Sequence, residues 1–269
     1  MISLPPLPKN PVLIARGAVA VMLFVTAFLL CFLVAGATRT GATYADVYVV
    51  RLAEDGILVD AGYYGICARS ESDQYTNSSL RCAPVYNATL ALGDYMSSSM
   101  SSDILDLAYS FSNDVIHPGM LLTGLVFVSV TFLCNGYGIA AAIAHGPGAS
   151  GSRAVRRQAV AEAVAVLGTA AAVVGTAIWG MGVGWAHAAA RALARTLADA
   201  TGSAVTAAVG RRADGMGWAA FAFMLLADAA LVFAARAERP AERPVSAGGE
   251  TASLASDATV VGMKYEAEA

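Results

Sequence analysis

The stretch that decides the fold is Gly17–Thr38, which reads GAVAVMLFVTAFLLCFLVAGAT and contains no charged residue. A helix needs about 20 apolar residues to cross the hydrocarbon core of a bilayer, so this stretch is long enough for one span. It exceeds the apolar core of a typical secretory signal, which has about 7–15 residues, although Ala35 and Ala37 resemble a cleavage site. We therefore expect a retained first span, with a cleaved signal peptide as the alternative.

Three further apolar blocks have the length of a span. The four predicted spans cover about residues 12–38, 118–144, 160–186 and 215–235. The composition agrees, because 57% of the 269 residues are hydrophobic and 14% are charged, whereas a soluble domain carries about 25% charged residues. The sequence therefore predicts an all-α membrane protein built on a bundle of four transmembrane helices. The net charge of −3 gives no basic excess, so we expect no nucleic-acid partner.

The segments outside the spans set the predicted domains and topology. Residues 1–11 are a proline-containing lead, residues 12–236 form the membrane domain, and residues 237–269 form a tail that we expect to be disordered. Basic residues before the first span, between the second and third, and after the fourth place both termini in the cytoplasm. Four arginines in the second outer connection oppose this assignment: Arg191, Arg195, Arg211 and Arg212.

The long connection at residues 39–117 resolves the topology. It contains two N-glycosylation sequons, which begin at Asn77 and Asn87, and such sites are used only on the lumenal or extracellular side. We therefore expect a multi-pass protein of the plasma membrane with this loop outside and with Asn77 and Asn87 as candidate glycosylation sites.

The same loop is predicted to form a small antiparallel sheet. Its β-branched and aromatic runs are Thr43–Leu52, Ile57–Cys67 and Leu80–Tyr86, separated by Gly- and Asp-rich turns. Pro84 confines the last run to an edge or an end of the sheet. Cys67 and Cys82 lie fifteen residues apart, and an oxidising compartment favours a disulfide between them over two free thiols.

At this point the sequence resembles a known family. The residues Gly62-Tyr63-Tyr64-Gly65-Ile66-Cys67, followed by Cys82, are similar to the Gly-aromatic-aromatic-Gly-x-Cys…Cys signature of the fungal calcium-regulator and membrane-fusion proteins of mating. Those proteins belong to the wider claudin-like tetraspan group. The resemblance implies a claudin-like bundle that regulates calcium influx and supports fusion of plasma membranes. The alternative is a claudin-like organiser of the fungal membrane, of the cortical-compartment or pH-sensing type, without an ion pathway.

The motif has a physical interpretation of its own. Glycines on either side of two aromatic residues let the backbone turn tightly at both ends of a strand. In that strand Tyr63 and Tyr64 point to opposite faces, one toward the sheet or membrane and the other toward a partner. A purely structural strand is the alternative interpretation.

Charged residues suggest where calcium acts. The loop at 39–117 has ten acidic residues and four arginines, which gives a charge of −6 and raises the local cation concentration. The spacing matches no EF-hand, so a solvated acidic surface is the alternative, no cofactor is expected, and calcium is an ion transported or sensed.

Asp228 lies inside the fourth predicted span. Intramembrane carboxylates are costly and face the bundle interior or a water-filled path. Asp228 is therefore a candidate intramembrane cation or polar site, with a hydrogen bond to a Ser or Thr of a neighbouring helix as the alternative.

No catalytic motif is present, and we predict that the chain is not an enzyme. The three histidines, His117, His145 and His187, flank different spans and do not have metal-ligand spacing. Small residues at helical spacing in the third span, such as Gly168, Ala172 and Gly175, allow close helix contact within the bundle or between copies. The expected partners are membrane lipids, calcium ions, and a second copy or other membrane proteins.

Overall fold

The computed structural model describes residues 11–38, 46–70, 80–96, 102–144 and 152–238. The described part is mostly helical, with one antiparallel sheet. The helices are α1 (Pro11–Ala35), α2 (Ala88–Met96), α3 (Ser102–Ser110), α4 (Gly119–Ala144), α5 (Ser152–Ala200) and α6 (Arg211–Glu238). The strands are β1 (Val50–Glu54), β2 (Ile57–Ala61), β3 (Gly65–Ser70), β4 (Arg81–Pro84) and β5 (Thr206–Val209). A 3₁₀ turn, Val85–Asn87, leads into α2, and a π-helical turn, Phe111–Val115, follows α3.

Four helices, α1, α4, α5 and α6, are long and apolar enough to cross a membrane, which confirms the predicted number of spans. In the bundle α1 packs against α4 and α6, and α5 packs against the same two helices. The helix α1 ends at Ala35, three residues before the predicted end of the first span. The chain turns there because Ala37 adopts a left-handed backbone with φ 55°, a conformation that stops an α-helix.

The helix α5 is much longer than the predicted span of residues 160–186. Its 49 residues correspond to about 74 Å at 1.5 Å per residue, more than twice the thickness of a hydrocarbon core. On the side of the membrane that carries the sheet, which we call the sheet side, α5 continues to Ala200 and contacts β5. The expected second outer loop is therefore a helical extension followed by a strand.

The sheet has the order β4-β3-β2-β1-β5, and all its pairs are antiparallel. The strand β5 was not predicted, because a run of four residues, two of them alanines, has weak β-propensity. Two predicted strands were also wrong in their bounds. Of the expected strand Thr43–Leu52, only Val50 onward belongs to β1, and residues 43–45 lie outside the described residues. The run Ile57–Cys67 forms two strands, β2 and part of β3, and the Pro84 strand β4 lies at an edge as expected.

Small residues bring α4 and α5 together inside the bundle. A Cβ atom added to Gly168 would lie 2.7 Å from Cβ of Cys134, and one added to Gly175 would lie 2.7 Å from Cβ of Phe127. Real Cβ atoms do not approach one another this closely, so glycine is required at both positions. The small-residue pattern of the third span therefore serves a contact within the chain. The other free cysteine, Cys31, lies on the exposed surface of α1.

Candidate functional site: the motif turn and its supports

The predicted disulfide is present and joins the last two strands of the loop. Cys67 on β3 and Cys82 on β4 are directly opposite in register, and their sulfur atoms are bonded. Closing a loop of this size in the unfolded chain is worth about 3 kcal/mol in the chain-entropy model. The Sγ atom of Cys67 also lies 3.3 Å from the carbonyl oxygen of Ala37, just after α1. The disulfide therefore sits where the sheet meets the end of the first spanning helix.

The motif Gly62-Tyr63-Tyr64-Gly65 is a turn, and the prediction that it forms a strand was wrong. The strand β2 ends at Ala61 and β3 begins at Gly65, and the amide of Gly62 donates a hydrogen bond to the carbonyl of Gly65 at 2.8 Å. We call these four residues the motif turn. Tyr63 and Tyr64 therefore project from a hairpin loop, and the alternation of a strand does not set their directions.

The two glycines of the motif turn are required by close packing. Neither has a positive φ, so the turn itself does not demand glycine. A Cβ atom on Gly65 would lie 2.1 Å from the carbonyl oxygen of Ala37, and one on Gly62 would lie 2.9 Å from Cβ of Ala37. Gly36 has the same role on the facing segment, where a Cβ would lie 2.5 Å from the carbonyl oxygen of Val47. The end of α1 thus packs backbone to backbone against the motif turn.

Tyr64 connects the motif turn to the start of α4. Its hydroxyl donates a hydrogen bond to the carbonyl of Pro118 at 2.6 Å, one residue before the helix begins. Its own carbonyl accepts the amide of Val85 at 2.9 Å, and the buried hydroxyl of Ser112 donates to the carbonyl of Gly62 at 3.0 Å. Partial burial raises the pKa of Tyr64 above that of free tyrosine, so the phenol remains a donor at neutral pH.

Tyr63 connects the motif turn to α5 and α6. It is 5% exposed and lines a small cavity with side chains of both helices, among them Val183, His187 and Asp214. Burial, with a smaller contribution from the charge of Asp214, raises the pKa of Tyr63 far above its usual value. The phenol is therefore neutral at any physiological pH.

A contact between two polar side chains that the sequence did not predict borders the same cavity. Nδ1 of His187 on α5 lies 2.6 Å from Oδ1 of Asp214 on α6, and the ring of Trp218 meets the imidazole edge to face. The two residues are 27 positions apart and on different helices, so no sequence pattern connects them. His117 is exposed, and His145 lies outside the described residues. Among the described residues no group of three or more metal-ligating side chains is present.

A buried charge cluster lies on the same face of the sheet as Cys67, and Asp60 was wrongly assigned to the acidic surface. Asp60 on β2 is 0% exposed. It accepts a bidentate hydrogen bond from Arg51 on β1, with Nη2 to Oδ2 at 2.9 Å, and Arg69 on β3 approaches to 3.3 Å. Burial raises the pKa of the Asp60 carboxyl, while the two guanidinium groups oppose this shift. Arg51 also lies over the ring of Tyr48.

Among the acidic residues of the loop that the structure describes, one more forms an ion pair and several are exposed. Asp46 pairs with Arg212 at 3.0 Å, so one of the arginines that opposed the predicted topology has a local anionic partner. Asp103, Asp106 and Asp114 are exposed on α3 and the turn after it. Of the two sequons, Asn87 is exposed and Asn77 lies outside the described residues.

Asp228 faces the interior of the bundle. It lines a small cavity with Thr176 of α5, Thr131 of α4 and Leu23 of α1. Thr176 is 5% exposed, and its hydroxyl makes no well-formed hydrogen bond to the described part of the chain. Both alternatives for Asp228, an ion site and a polar contact between helices, are compatible with this placement.

A comparison with protein-family models identifies a match. The family model described as "Ca²⁺ regulator and membrane fusion protein Fig1" matches residues 52–236, more than half of the chain. The chain belongs to the Fig1 family. The matched range of this Fig1 chain contains the motif turn, both disulfide cysteines, α4, α5 and most of α6, and it leaves out α1. No curated protein and no solved structure matches the chain.

Membership in the Fig1 family supports calcium regulation and membrane fusion as the general activity, since both are in the family description. The family description names a membrane regulator and fusion protein, and this is not a known enzyme family.

Proposed function

We propose that this chain is a multi-pass plasma-membrane protein, with both termini in the cytoplasm, that regulates calcium influx and supports membrane fusion during fungal mating. Its family supports the calcium and fusion activities. The four long apolar helices support the multi-pass arrangement. The two sequons, Asn77 and Asn87, support an extracellular position for the sheet.

The observation that carries the proposal is the position of the motif turn. Through Gly62 and Gly65 it contacts the end of α1, through Tyr64 the start of α4, and through Tyr63 both α5 and α6. One four-residue turn of the sheet therefore contacts the segments just beyond α1 and just before α4, and also the sides of α5 and α6, all on the sheet side. A displacement of the sheet by an extracellular partner would reach every helix of the bundle, which is the kind of contiguous packed network that couples distant sites.

The proposed architecture is claudin-like, with four spans and one sheet built from both outer connections. Support comes from β5, which lies between α5 and α6 and pairs with β1 from the long first connection. Such a sheet fixes the connection between α1 and α4 relative to the connection between α5 and α6. Movement of α1 and α4 is therefore transmitted to α5 and α6.

We propose that the chain regulates calcium entry by changing shape rather than by conducting through its own bundle. Trp179, which is 1% exposed, fills the space between Gly124 of α4 and Gly217 of α6 and donates a hydrogen bond to the carbonyl of Gly217. Asp228 is then the polar group whose contacts change with the packing of the helices. Exposed acidic residues such as Asp106 raise the calcium concentration near the sheet.

The test is calcium influx in mating-stimulated fungal cells that lack this gene, measured at equal surface level with four restored forms. The natural chain should restore influx and cell fusion. Gly65→Ala, which forces a Cβ atom against the backbone at Ala37, should restore neither. Gly93→Ala is the matched control, because its Cβ would meet no atom within 4 Å, and it should behave like the natural chain. Asp228→Asn should reduce influx.

The outcomes also distinguish calcium regulation from the alternative function, which is organisation of the membrane. If the natural chain leaves influx unchanged but restores normal membrane compartments, the calcium proposal is wrong and the organiser function replaces it. If Asp228→Asn has full influx, Asp228 is a structural polar contact, and the role of the motif turn is judged from Gly65→Ala alone.

A further inference from the structure

Two large apolar side chains are exposed outside the spanning helices. Tyr86 is 87% exposed and Leu90 is 78% exposed. Among the described residues, all the other large apolar side chains that are exposed belong to α1, α4, α5 or α6, where lipid covers them. A protein surface in contact with water rarely exposes two large neighbouring apolar side chains unless a binding partner covers them.

The two side chains lie on one side of a helical segment. Tyr86 is in the 3₁₀ turn and Leu90 is in α2, four residues further on, so they are neighbours on the helix surface. The opposite side of the segment carries Ala88 and Leu92, which are 0% and 1% exposed and pack into the core. We call Tyr86 and Leu90 the apolar pair. It points away from the core of the protein.

Hydrogen bonds place the apolar pair near the membrane boundary. Val85, the residue before Tyr86, donates its amide to the carbonyl of Tyr64, and the hydroxyl of Tyr64 donates to the carbonyl of Pro118. Pro118 directly precedes α4, so a single tyrosine side chain spans the distance from the 3₁₀ turn to the start of a spanning helix. The exposed apolar surface of α4 begins one turn further on, at Leu122.

We propose that the apolar pair rests in the interface of the same membrane, in the leaflet on the sheet side. Tyrosine is favoured at this depth because its ring is apolar and its hydroxyl reaches the headgroups. Leu90 adds a second exposed apolar side chain, and the polar neighbours Asn87 and Thr89 are exposed beside the pair, as in helices that lie in a bilayer surface. The segment thereby anchors the β4 edge of the sheet on the lipid while the motif turn is held by the helices.

A consequence concerns the sequon at Asn87. Asn87 is exposed beside the apolar pair, and a bulky, hydrated glycan there would hold the pair away from the lipid. We therefore expect that Asn87 carries no glycan in the mature protein and that any glycan is on Asn77. A shift in gel mobility on glycosidase treatment that is lost in Asn87→Gln overturns the proposal.

The direct test measures the depth of a spin label in the full chain, reconstituted in nanodiscs of phosphatidylcholine. Cys31→Ala and Cys134→Ala remove the two free thiols, and labels are then placed at Leu90→Cys or, as the control, at Asp106→Cys on the exposed side of α3. The ratio of relaxation by oxygen to relaxation by a water-soluble nickel complex should be several-fold higher at position 90 than at position 106. Both side chains are exposed, so the substitutions leave the core packing intact.

Three results would overturn the proposal. Equal ratios at the two positions would show that the apolar pair lies in water. Exclusion of both reagents from position 90, with spin–spin coupling between labels, would show that a second copy covers it. Nickel access that disappears only when phosphatidylcholine vesicles are added would show that it binds an apposed membrane. The proposal depends on the four-helix arrangement and does not depend on calcium regulation, so its outcome is independent of the influx experiment.

Discussion

Two turns of the same sheet contain glycine for different physical reasons. The turn between β1 and β2 has Asp55 and Gly56 at its centre, both with positive φ, 47° and 77°, and both exposed. A Cβ atom on Gly56 would meet nothing within 4 Å. The motif turn between β2 and β3 has no positive φ, and its glycines are packed against the end of α1. In the first turn glycine serves the local backbone, and in the second it serves a contact with the bundle.

The difference distinguishes the turn between β1 and β2, which only closes a hairpin, from the motif turn, which also contacts the helix bundle. An Asp-Gly pair with positive φ is a common way to close a two-residue hairpin, and it has no further consequence for the fold. The motif turn gains nothing locally from glycine, so the reason for the residue type lies in what the turn contacts. This comparison predicts which substitutions disturb the whole protein and which remain local.

The largest effect is expected for Gly65→Ala. The added Cβ would meet the backbone oxygen of Ala37 at 2.1 Å, and backbone cannot move aside as the end of a flexible side chain can. We expect a loss of stability toward the upper end of the range of about 1–3 kcal/mol for overpacking. Thermal unfolding in detergent measures it. A melting temperature equal to that of the natural chain would contradict the close contact.

A smaller and local effect is expected for Gly56→Ala. The left-handed backbone costs a residue with a Cβ atom roughly 1–2 kcal/mol, and no packing is disturbed. Calcium influx and fusion at equal surface level should stay at the level of the natural chain. If this variant abolished influx as Gly65→Ala is expected to, the functional distinction between the two turns would be lost.

Tyr64→Phe tests the connection to α4 without adding any atom. Removing the hydroxyl leaves the carbonyl of Pro118 without its hydrogen bond from Tyr64, and the expected loss is about 0.5–1.5 kcal/mol. Hydrogen exchange at the start of α4 should increase, while exchange in β1 stays unchanged. Unchanged exchange at Leu121 and Leu122 would show that the hydroxyl does not couple the two elements.

The sequence predicted most of the fold from properties that are local. Apolar blocks longer than a span predicted four helices, and two cysteines in one loop predicted the disulfide. The strand β5 and the extension of α5 to Ala200 were missed, because alanine-rich segments have no distinctive period of their own. The strand β5 pairs with β1, which is more than 150 positions away in the chain, and the extension of α5 contacts β5.

The residues of the candidate site were predicted, but the structure that they form was predicted only in part. The motif Gly62–Gly65 was identified, but a strand was expected because two tyrosines favour one. The contacts that make it a turn come from Ala37 and Pro118, and the pattern of the motif does not encode them. The pair of His187 and Asp214 was missed for the same reason, since it exists only where two helices meet.

The smallest effect on stability at neutral pH is expected for Tyr63→Phe. Its effect on stability appears only at alkaline pH. Burial keeps the Tyr63 phenol neutral in the folded protein, whereas in the unfolded chain it ionises near pH 10. Above that pH the unfolded state binds fewer protons than the folded state, so stability falls as the pH rises. Between pH 8 and 11 the melting temperature of Tyr63→Phe should therefore fall less steeply than that of the natural chain. Equal slopes for the two proteins would show that Tyr63 is accessible to water, and the motif turn would then have lost its contact with α5 and α6.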